Sequence, residues 1–284
     1  EVEVVKRSLE NAILKLSIKD IEINDANLRY KVKKKDTNQI IGLKVLSIKR
    51  RSKYLIFFFT KNIVMIAHLG MTGKFFIVNK KNIKKKTSFY YSLDEKKDSK
   101  HDRIIFNFKN GTKLIYNDVR KFGFIKFDSS TKFKQNQHLK LLGPEPLKQL
   151  FNFRYFKNYI AGKNRIIKDL LMDQKFVSGL GNIYANEILF YSQIKPTRKL
   201  IKLDDIEIKK IITNTKKILK KAIKLGGSSI KNFSSVSGKP GAFQQYFSVY
   251  GKKGNDCSNS DCNNKIKKIV LSNRASFFCS KCQK

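Results

Sequence analysis

Four cysteines stand as two close pairs near one end of the chain, Cys257-x4-Cys262 and Cys279-x2-Cys282, with sixteen residues between the pairs. Thiolates at that spacing suit tetrahedral coordination of one structural zinc ion (Zn2+), and the insert is long enough for a hairpin. Two disulfides are the competing arrangement. Zinc is expected, because the opening residues lack the basic flank and apolar stretch of a secretory signal and there is no further cysteine. Segments 265–271 and 275–278 read as the two strands of the hairpin, which is too small for a core of its own and would aim Arg274 outward. A second candidate is Gly179-Leu-Gly-Asn182, a glycine turn that opens a helical pattern. Free backbone N–H groups and the positive end of a helix dipole make such a turn an anion site, to which Asn182 can add an amide donor. Alone, a Gly-x-Gly turn is more often a tight connection.

The surroundings of these sites are strongly cationic. Fifty-one lysines and 10 arginines face 22 acidic residues, a formal charge of +39 over 284 residues. That excess points to a polyanionic partner such as nucleic acid. Abundant Lys, Ile, Asn and Phe with no Trp also fits an AT-rich coding genome, so lysine alone does not decide the matter. The 41% apolar content argues against general disorder. The longest apolar run, 54–59, is far below the ~20 residues of a membrane span.

The elements that must position these residues follow a simple order. Residues 2–16 carry Val5, Leu9, Ala12, Ile13 and Leu16 at helical spacing. Short β-type runs follow at 43–48, 54–59, 63–67, 74–78, 103–108, 112–116 and 124–127, with a hairpin signal at Asn110-Gly111. The lysine clusters 33–35 and 84–86 read as solvated loops. Helical patterns occupy 152–161, 166–174, 183–191 and 205–225, the last ending at Gly226-Gly227. Its expected buried stripe is Ile208, Ile211, Ile212, Leu219, Ala222 and Ile223. The fold class is α+β and multidomain: a β-rich domain over 1–127, a linker over 128–146, a helical domain over 147–245 and a cysteine hairpin over 246–284.

Several segments, in order along nearly the whole chain, resemble the formamidopyrimidine-DNA glycosylase family. They include Glu1-Val-Glu3, Arg51-Ser-Lys53-Tyr54, His68-Leu-Gly-Met71-Thr-Gly73, Lys100-His101-Asp102 and Asn117-Asp-Val-Arg120-Lys-Phe122-Gly123. Leu142-Gly-Pro-Glu-Pro-Leu147, Leu171-Met-Asp-Gln174, Ser178-Gly-Leu-Gly-Asn-Ile-Tyr-Ala-Asn-Glu187, Ser237-Gly-Lys-Pro-Gly-Ala-Phe-Gln-Gln245 and the four cysteines continue the match. The resemblance implies an N-terminal β-sandwich, a helix–two-turn–helix domain and a C-terminal zinc hairpin, with DNA held between them. It implies base-excision repair: removal of 8-oxoguanine and formamidopyrimidines from duplex DNA, with strand cleavage by β,δ-elimination at the abasic site through a Schiff base. The expected partner is double-stranded DNA with oxidised purines or abasic sites. The protein is expected to be a monomer without membrane contact, in the cytoplasm with the nucleoid of a bacterium.

By the same resemblance Met71, Arg120 and Phe122 fill the space left by a flipped nucleotide. Read without it, Met71 and Phe122 are core residues. His68, His101, Arg120, Lys163 and Asn182 match positions that bind the DNA backbone, with Lys163 in the loosest local match. Lys53 and Arg274 also match positions tied to proton transfer during strand elimination. Segment 228–245 resembles a loop that closes over the flipped base. The family usually reads Pro-Glu-Leu-Pro ahead of Glu-Val-Glu, its proline amine being the nucleophile and the adjacent Glu the proton manager. The expectation is therefore an enzyme whose native chain carries those residues; the alternative is a lesion-binding protein without catalysis, and a third reading is an RNA-associated basic zinc protein. Departures from the pattern are Cys-x4-Cys for Cys-x2-Cys, Asn186 for Asp and Val119 for Pro.

Overall fold

The computed structural model describes residues 1–79 and 99–227, the backbone of 84–86, and residues 243–284. The chain divides into two compact units, Glu1–Lys140 with Gly226–Gln244, and Leu141–Leu225 with Gln245–Lys284.

The first unit opens with helix α1 (Val2–Ile13), which buries Val5, Leu9 and Ile13. Its strands are β1 (Ile18–Ile23), β2 (Val45–Arg51), β3 (Tyr54–Phe59), β4 (Ile63–His68), β5 (Lys74–Val78), β6 (Lys84–Lys86), β7 (Asp102–Phe108), β8 (Lys113–Asn117) and β9 (Phe124–Ser129). They form two antiparallel sheets, ordered β1-β7-β8-β5-β6 and β2-β3-β4-β9. One apolar core joins them, with Phe57, Phe75, Phe106 and Tyr116 fully buried alongside the face of α1. Gly111 turns the β7–β8 hairpin at φ 85°, and the Asn110 side chain accepts from Thr112 N at 2.9 Å.

Two lysine clusters depart from the loop reading. Residues Lys84–Lys86 pair with β5 as an edge strand, and Lys34–Asn38 form a short helix α2. Charged edge strands discourage pairing with a second chain, so lysine is at home there. Within the connecting stretch 128–146, Phe133 packs edge-on to Phe58 with centroids 5.2 Å apart, and the His138 ring lies 4.6 Å from that of Phe124.

The topology has one consequence for function. Chain passes from the second sheet to the first in the five-residue connection between β4 and β5, residues 69–73. It returns in the connection between β8 and β9, residues 118–123. Because β5 pairs with β8 and β4 with β9, both crossings lie at the same end of the sandwich.

The second unit holds helices α3 (Phe153–Ile160), α4 (Ile167–Met172), α5 (Asn182–Tyr191) and α6 (Asp205–Lys224), then the hairpin β10 (Ile266–Leu271) and β11 (Arg274–Cys279). Asn152 caps α3, accepting from Tyr155 N, and α6 starts with a capping box of Asp204 and Glu207. The buried stripe of α6 is Ile208, Ile211, Ile212, Thr215, Ile218 and Ala222, so Thr215 and Ile218 replace the expected Leu219 and Ile223. Thr215 can turn inward because its hydroxyl donates to Ile211 O at 2.7 Å. No helix among the described residues is long and apolar enough to cross a membrane.

Candidate functional site

At the shared end of the sandwich the two crossings interlock. Gly70 packs so closely on the other connection that an added Cβ would sit 2.7 Å from Gly123 N and from the Phe122 carbonyl carbon, which only glycine at φ 59° avoids. From this knot three side chains project. Met71 is 60% and Phe122 47% exposed, which sets aside the core reading of both. Arg120 joins them: its Nη1 lies 3.4 Å from Met71 Sδ, and its Cζ stands 4.4 Å from the centre of the Phe122 ring. A thioether, a guanidinium and a phenyl ring thus form one exposed cluster. Lys121, between Arg120 and Phe122, takes φ 58° and pairs with Asp25 at 2.5 Å.

His68 and His101 flank the same loops. His68 ends β4, where strand register sets it opposite Tyr54 and Phe124. Its ring stacks on Phe124 at 5.6 Å and lies 5.0 Å from Tyr54. Gly70 N donates to His68 Nδ1 at 3.1 Å, which leaves the ring proton on Nε2. Burial first, then the positive charges of Lys53 and Arg29 and the ring of His138, push the His68 pKa down to about 4, against a weaker upward pull from Asp118. His68 is therefore a neutral Nε2–H donor at physiological pH. The sign follows directly: the folded ring resists protonation while the unfolded ring takes a proton near ~6.5. The His68 contribution to stability is thus fully present above that value and is lost as pH falls toward about 4. A ¹⁵N-NMR titration should show His68 as the neutral Nε2–H tautomer at pH 6; a protonated ring there would refute the assignment. His101 has a similar tautomer, since Arg103 Nη2 lies 3.1 Å from its Nδ1 and arginine can only donate.

Lys53 sits in the β2–β3 turn beside Ser52, which takes φ 54°. Arg50 braces that turn, donating to Ser52 O at 2.9 Å and to Glu3 at 2.8 Å. Burial alone would raise the Glu3 carboxyl, but Arg50, Arg7 and Lys6 hold it below the usual range. The start of the chain lies beside Gly227, where an added Cβ would be 3.5 Å from Glu1 N. Most of the segment resembling the closing loop, 228–242, lies outside the described residues.

In the second unit the glycine turn is built by Gln174, whose side chain accepts from Gly179 N at 2.7 Å and donates to Leu180 O at 2.9 Å. Asn182 opens α5, and its amide donates to Ala275 O of the hairpin at 3.0 Å. Lys163, just past the end of α3, turns back on that helix, donating to Tyr159 O and resting 4.2 Å over the Tyr159 ring. Sequence reasoning missed Lys168. It is buried, donates to Ala275 O at 3.0 Å and Ser276 Oγ at 2.5 Å, and so fixes the strand start that carries exposed Arg274. Burial lowers its pKa to about 8, opposed by Asp169 and reinforced by Arg274. The only sequence signal was a lysine beside apolar Ile167 and Leu170 on a short helix. Ser272 and Asn273 make the hairpin turn at φ 46° and 58°.

The four cysteine sulfurs lie within 4.8 Å of one another. Cys257–Cys282 and Cys262–Cys279 are 3.7 and 3.6 Å apart, near the ~3.8 Å edge of a tetrahedron with ~2.3 Å zinc–sulfur bonds. The four are free thiols, so the set fits a metal. The longer Cys-x4-Cys loop supplies Asn259, whose amide reaches Cys282 Sγ at 3.1 Å. Buried polar groups tie this module to α5. Glu187 accepts from Ser248, Val249 and Tyr250 N–H at 2.8–3.0 Å, and Asn186 accepts from Phe277 N at 2.6 Å while donating to Asn182 O at 2.7 Å. The last bond requires an amide donor, which accounts for Asn in place of Asp.

Two regions of the chain match known domain families. Residues 1–125 match the formamidopyrimidine-DNA glycosylase N-terminal domain, and residues 142–234 match the H2TH domain of the same enzymes. Formamidopyrimidine-DNA glycosylase of Rickettsia bellii is 39% identical over 285 residues, covering 100% of this chain and 98% of the relative. That of Rickettsia massiliae is 37% identical, covering 100% and 95%. Among solved structures, a Lactococcus lactis FPG mutant bound to Fapy-dG DNA superposes with a TM-score of 0.86 at 34% identity, and the L. lactis protein with abasic-site DNA with 0.84 at 33%. Each covers 100% of this chain and 98% of the solved chain.

Proposed function

The chain belongs to the formamidopyrimidine-DNA glycosylase family, and we propose from that premise that it excises 8-oxoguanine and formamidopyrimidines from duplex DNA and cleaves the strand at the resulting abasic site. The observation that carries this reading is the exposed cluster of Met71, Arg120 and Phe122 on two interlocked loops. The glycosidic carbon is out of reach inside the stack, so the lesion must rotate out at a cost of a few kcal/mol. Met71 and Phe122 fill the vacancy with a polarizable sulfur and a ring, and the Arg120 guanidinium faces the orphaned base. His68 and His101 donate Nε2–H to backbone phosphate oxygens, Arg120 and Lys163 add charge, and Asn182 lies at a helix start suited to an anion.

In the family the attacking group is the secondary amine of a proline four residues ahead of Glu1; no residue of 1–284 is assigned to that step. The amine nitrogen bonds to sugar C1′ as the glycosidic bond breaks, and the base leaves with a proton. Ring opening gives an imine, from which β,δ-elimination expels the two phosphates. Lys53 and Arg274 assist the proton transfers of this elimination. Cys257, Cys262, Cys279 and Cys282 hold a zinc ion, which supplies structural cross-linking only.

Borohydride trapping tests the chemistry. The native protein on an 8-oxoguanine duplex should give a covalent adduct whose mass maps to the N-terminal peptide. Lesion-selective binding without adduct or strand cleavage would establish a binding-only protein. Tighter binding to RNA than to lesion duplex would overturn the assignment.

A further inference from the structure

Between the two loops that carry the exposed cluster lies a carboxylate that the mechanism above does not use. Asp118 is fully buried. Its Oδ1 accepts from the Thr72 hydroxyl at 2.5 Å, and its Oδ2 accepts from Gly123 N at 2.9 Å and from Tyr116 OH at 3.3 Å. The Thr72 hydroxyl in turn accepts from Arg120 N at 3.0 Å. The Asp118 backbone is pinned as well: its N–H donates to His101 O at 3.1 Å, and its carbonyl accepts from Arg103 Nε at 2.9 Å. Met71 and Thr72 are neighbours on one loop; Arg120, Phe122 and Gly123 lie on the other. A single buried charge therefore bonds to both loops, and a single hydroxyl bridges it to the backbone of Arg120.

We infer that Asp118 and Thr72 form a clamp that makes Met71, Arg120 and Phe122 one rigid wedge, so that they are positioning residues for base extrusion. The inference rests on the wedge reading given above. The physical reason is pre-organisation. A loop that must be ordered when it enters the helix spends binding energy on that ordering, whereas a loop already fixed does not. A buried carboxylate suits the task because it only accepts, and Thr72, Tyr116 and the Gly123 amide only need to donate. Gly73 completes the fit, since an added Cβ there would lie 2.7 Å from the Tyr116 hydroxyl.

The test is a set of variants in the native protein. Thr72→Val keeps the shape and removes the hydroxyl; Thr72→Ser keeps the hydroxyl. Thr72→Val should reduce preference for lesion over undamaged duplex roughly 10- to 100-fold. It should also diminish the fluorescence rise of 2-aminopurine placed opposite the lesion, and Thr72→Ser should restore both. In a Met71→Ala background the same Thr72→Val change should cost far less, because the wedge is already broken. Asp118→Asn should act like Thr72→Val, since it leaves one acceptor oxygen for the three donors Thr72, Tyr116 and Gly123 N. Should Thr72→Val fail to fold, Thr72→Ala carries the same comparison. Equal selectivity in Thr72→Val and wild type, or additive effects with Met71→Ala, would overturn the clamp. If wild type itself shows no lesion preference, the functional reading fails instead. Amide hydrogen exchange then decides the clamp: Arg120 and Gly123 N–H protected in wild type and Arg120 exposed in Thr72→Val support it, and no difference refutes it.

Discussion

Cys279→Ser is expected to remove the metal and weaken binding to lesion duplex on the order of 100-fold, with most of the first unit's fold retained. The cysteine module has little else to hold its own loops. Its buried cluster is Phe190, Val249, Ile266 and Phe277 with three of the cysteines, and two of the four apolar members lie outside the hairpin. Zinc in such small modules contributes roughly 10–16 kcal/mol to folding. Cys279 is the most deeply buried of the four cysteines, and its N–H donates to Gln283 Oε1 at 2.9 Å. A serine there leaves an oxygen that is a poor zinc ligand at neutral pH. The strand would remain tethered to α5 through Asn186 and to α4 through Lys168. Loop 257–264 and the Arg274 turn, however, would lose the cross-link that fixes them. Elemental analysis should find about one zinc per native chain and little in the variant, and a duplex-binding titration at fixed salt gives the affinity change. A native protein free of zinc that binds lesion duplex normally would refute the assignment.

Much of this arrangement was legible in the sequence because the signals were local. Two close cysteine pairs around a hairpin-length insert point to a four-ligand site, and the strand Tyr54–Phe59 announces itself by an unbroken apolar run. The failures have physical causes as well. The helix Lys34–Asn38 carries no apolar periodicity, so nothing in KKDTN distinguishes it from a loop. By type alone Phe122 and Met71 read as core residues, against the void-filling place the resemblance gave them; both stand exposed on the backbone crossings between the sheets. Asp118 and Thr72 are 46 positions apart, and a carboxylate among so many lysines gives no hint of being buried against a threonine. Lys163 and Lys168 show the same limit from the other side. Four residues lie between them, and three-dimensional packing alone decides which one reaches the hairpin.

The wedge itself offers the sharpest separation of binding from chemistry. Replacing Met71, Arg120 and Phe122 together by Ala should slow excision of 8-oxoguanine from duplex DNA by roughly 100- to 1000-fold, the rate equivalent of the few kcal/mol needed to unstack a base. Folding should be little affected, since Met71 and Phe122 are largely exposed and Asp118 and Thr72 remain in place. Non-specific affinity should fall far less than excision. Of 61 Lys and Arg side chains only one is lost, and the long-range, salt-sensitive attraction depends on how many phosphates the remainder neutralise. A substrate that already contains an abasic site has no base to expel, so strand cleavage there should suffer much less than excision does. Single-turnover rates on the two substrates measure that difference directly. Equal losses on both would mean that the three side chains act on the sugar and phosphates rather than on the stack, and the wedge reading would have to be abandoned. A selective loss would instead assign the few kcal/mol of extrusion to three side chains that, by residue type alone, belonged in the core.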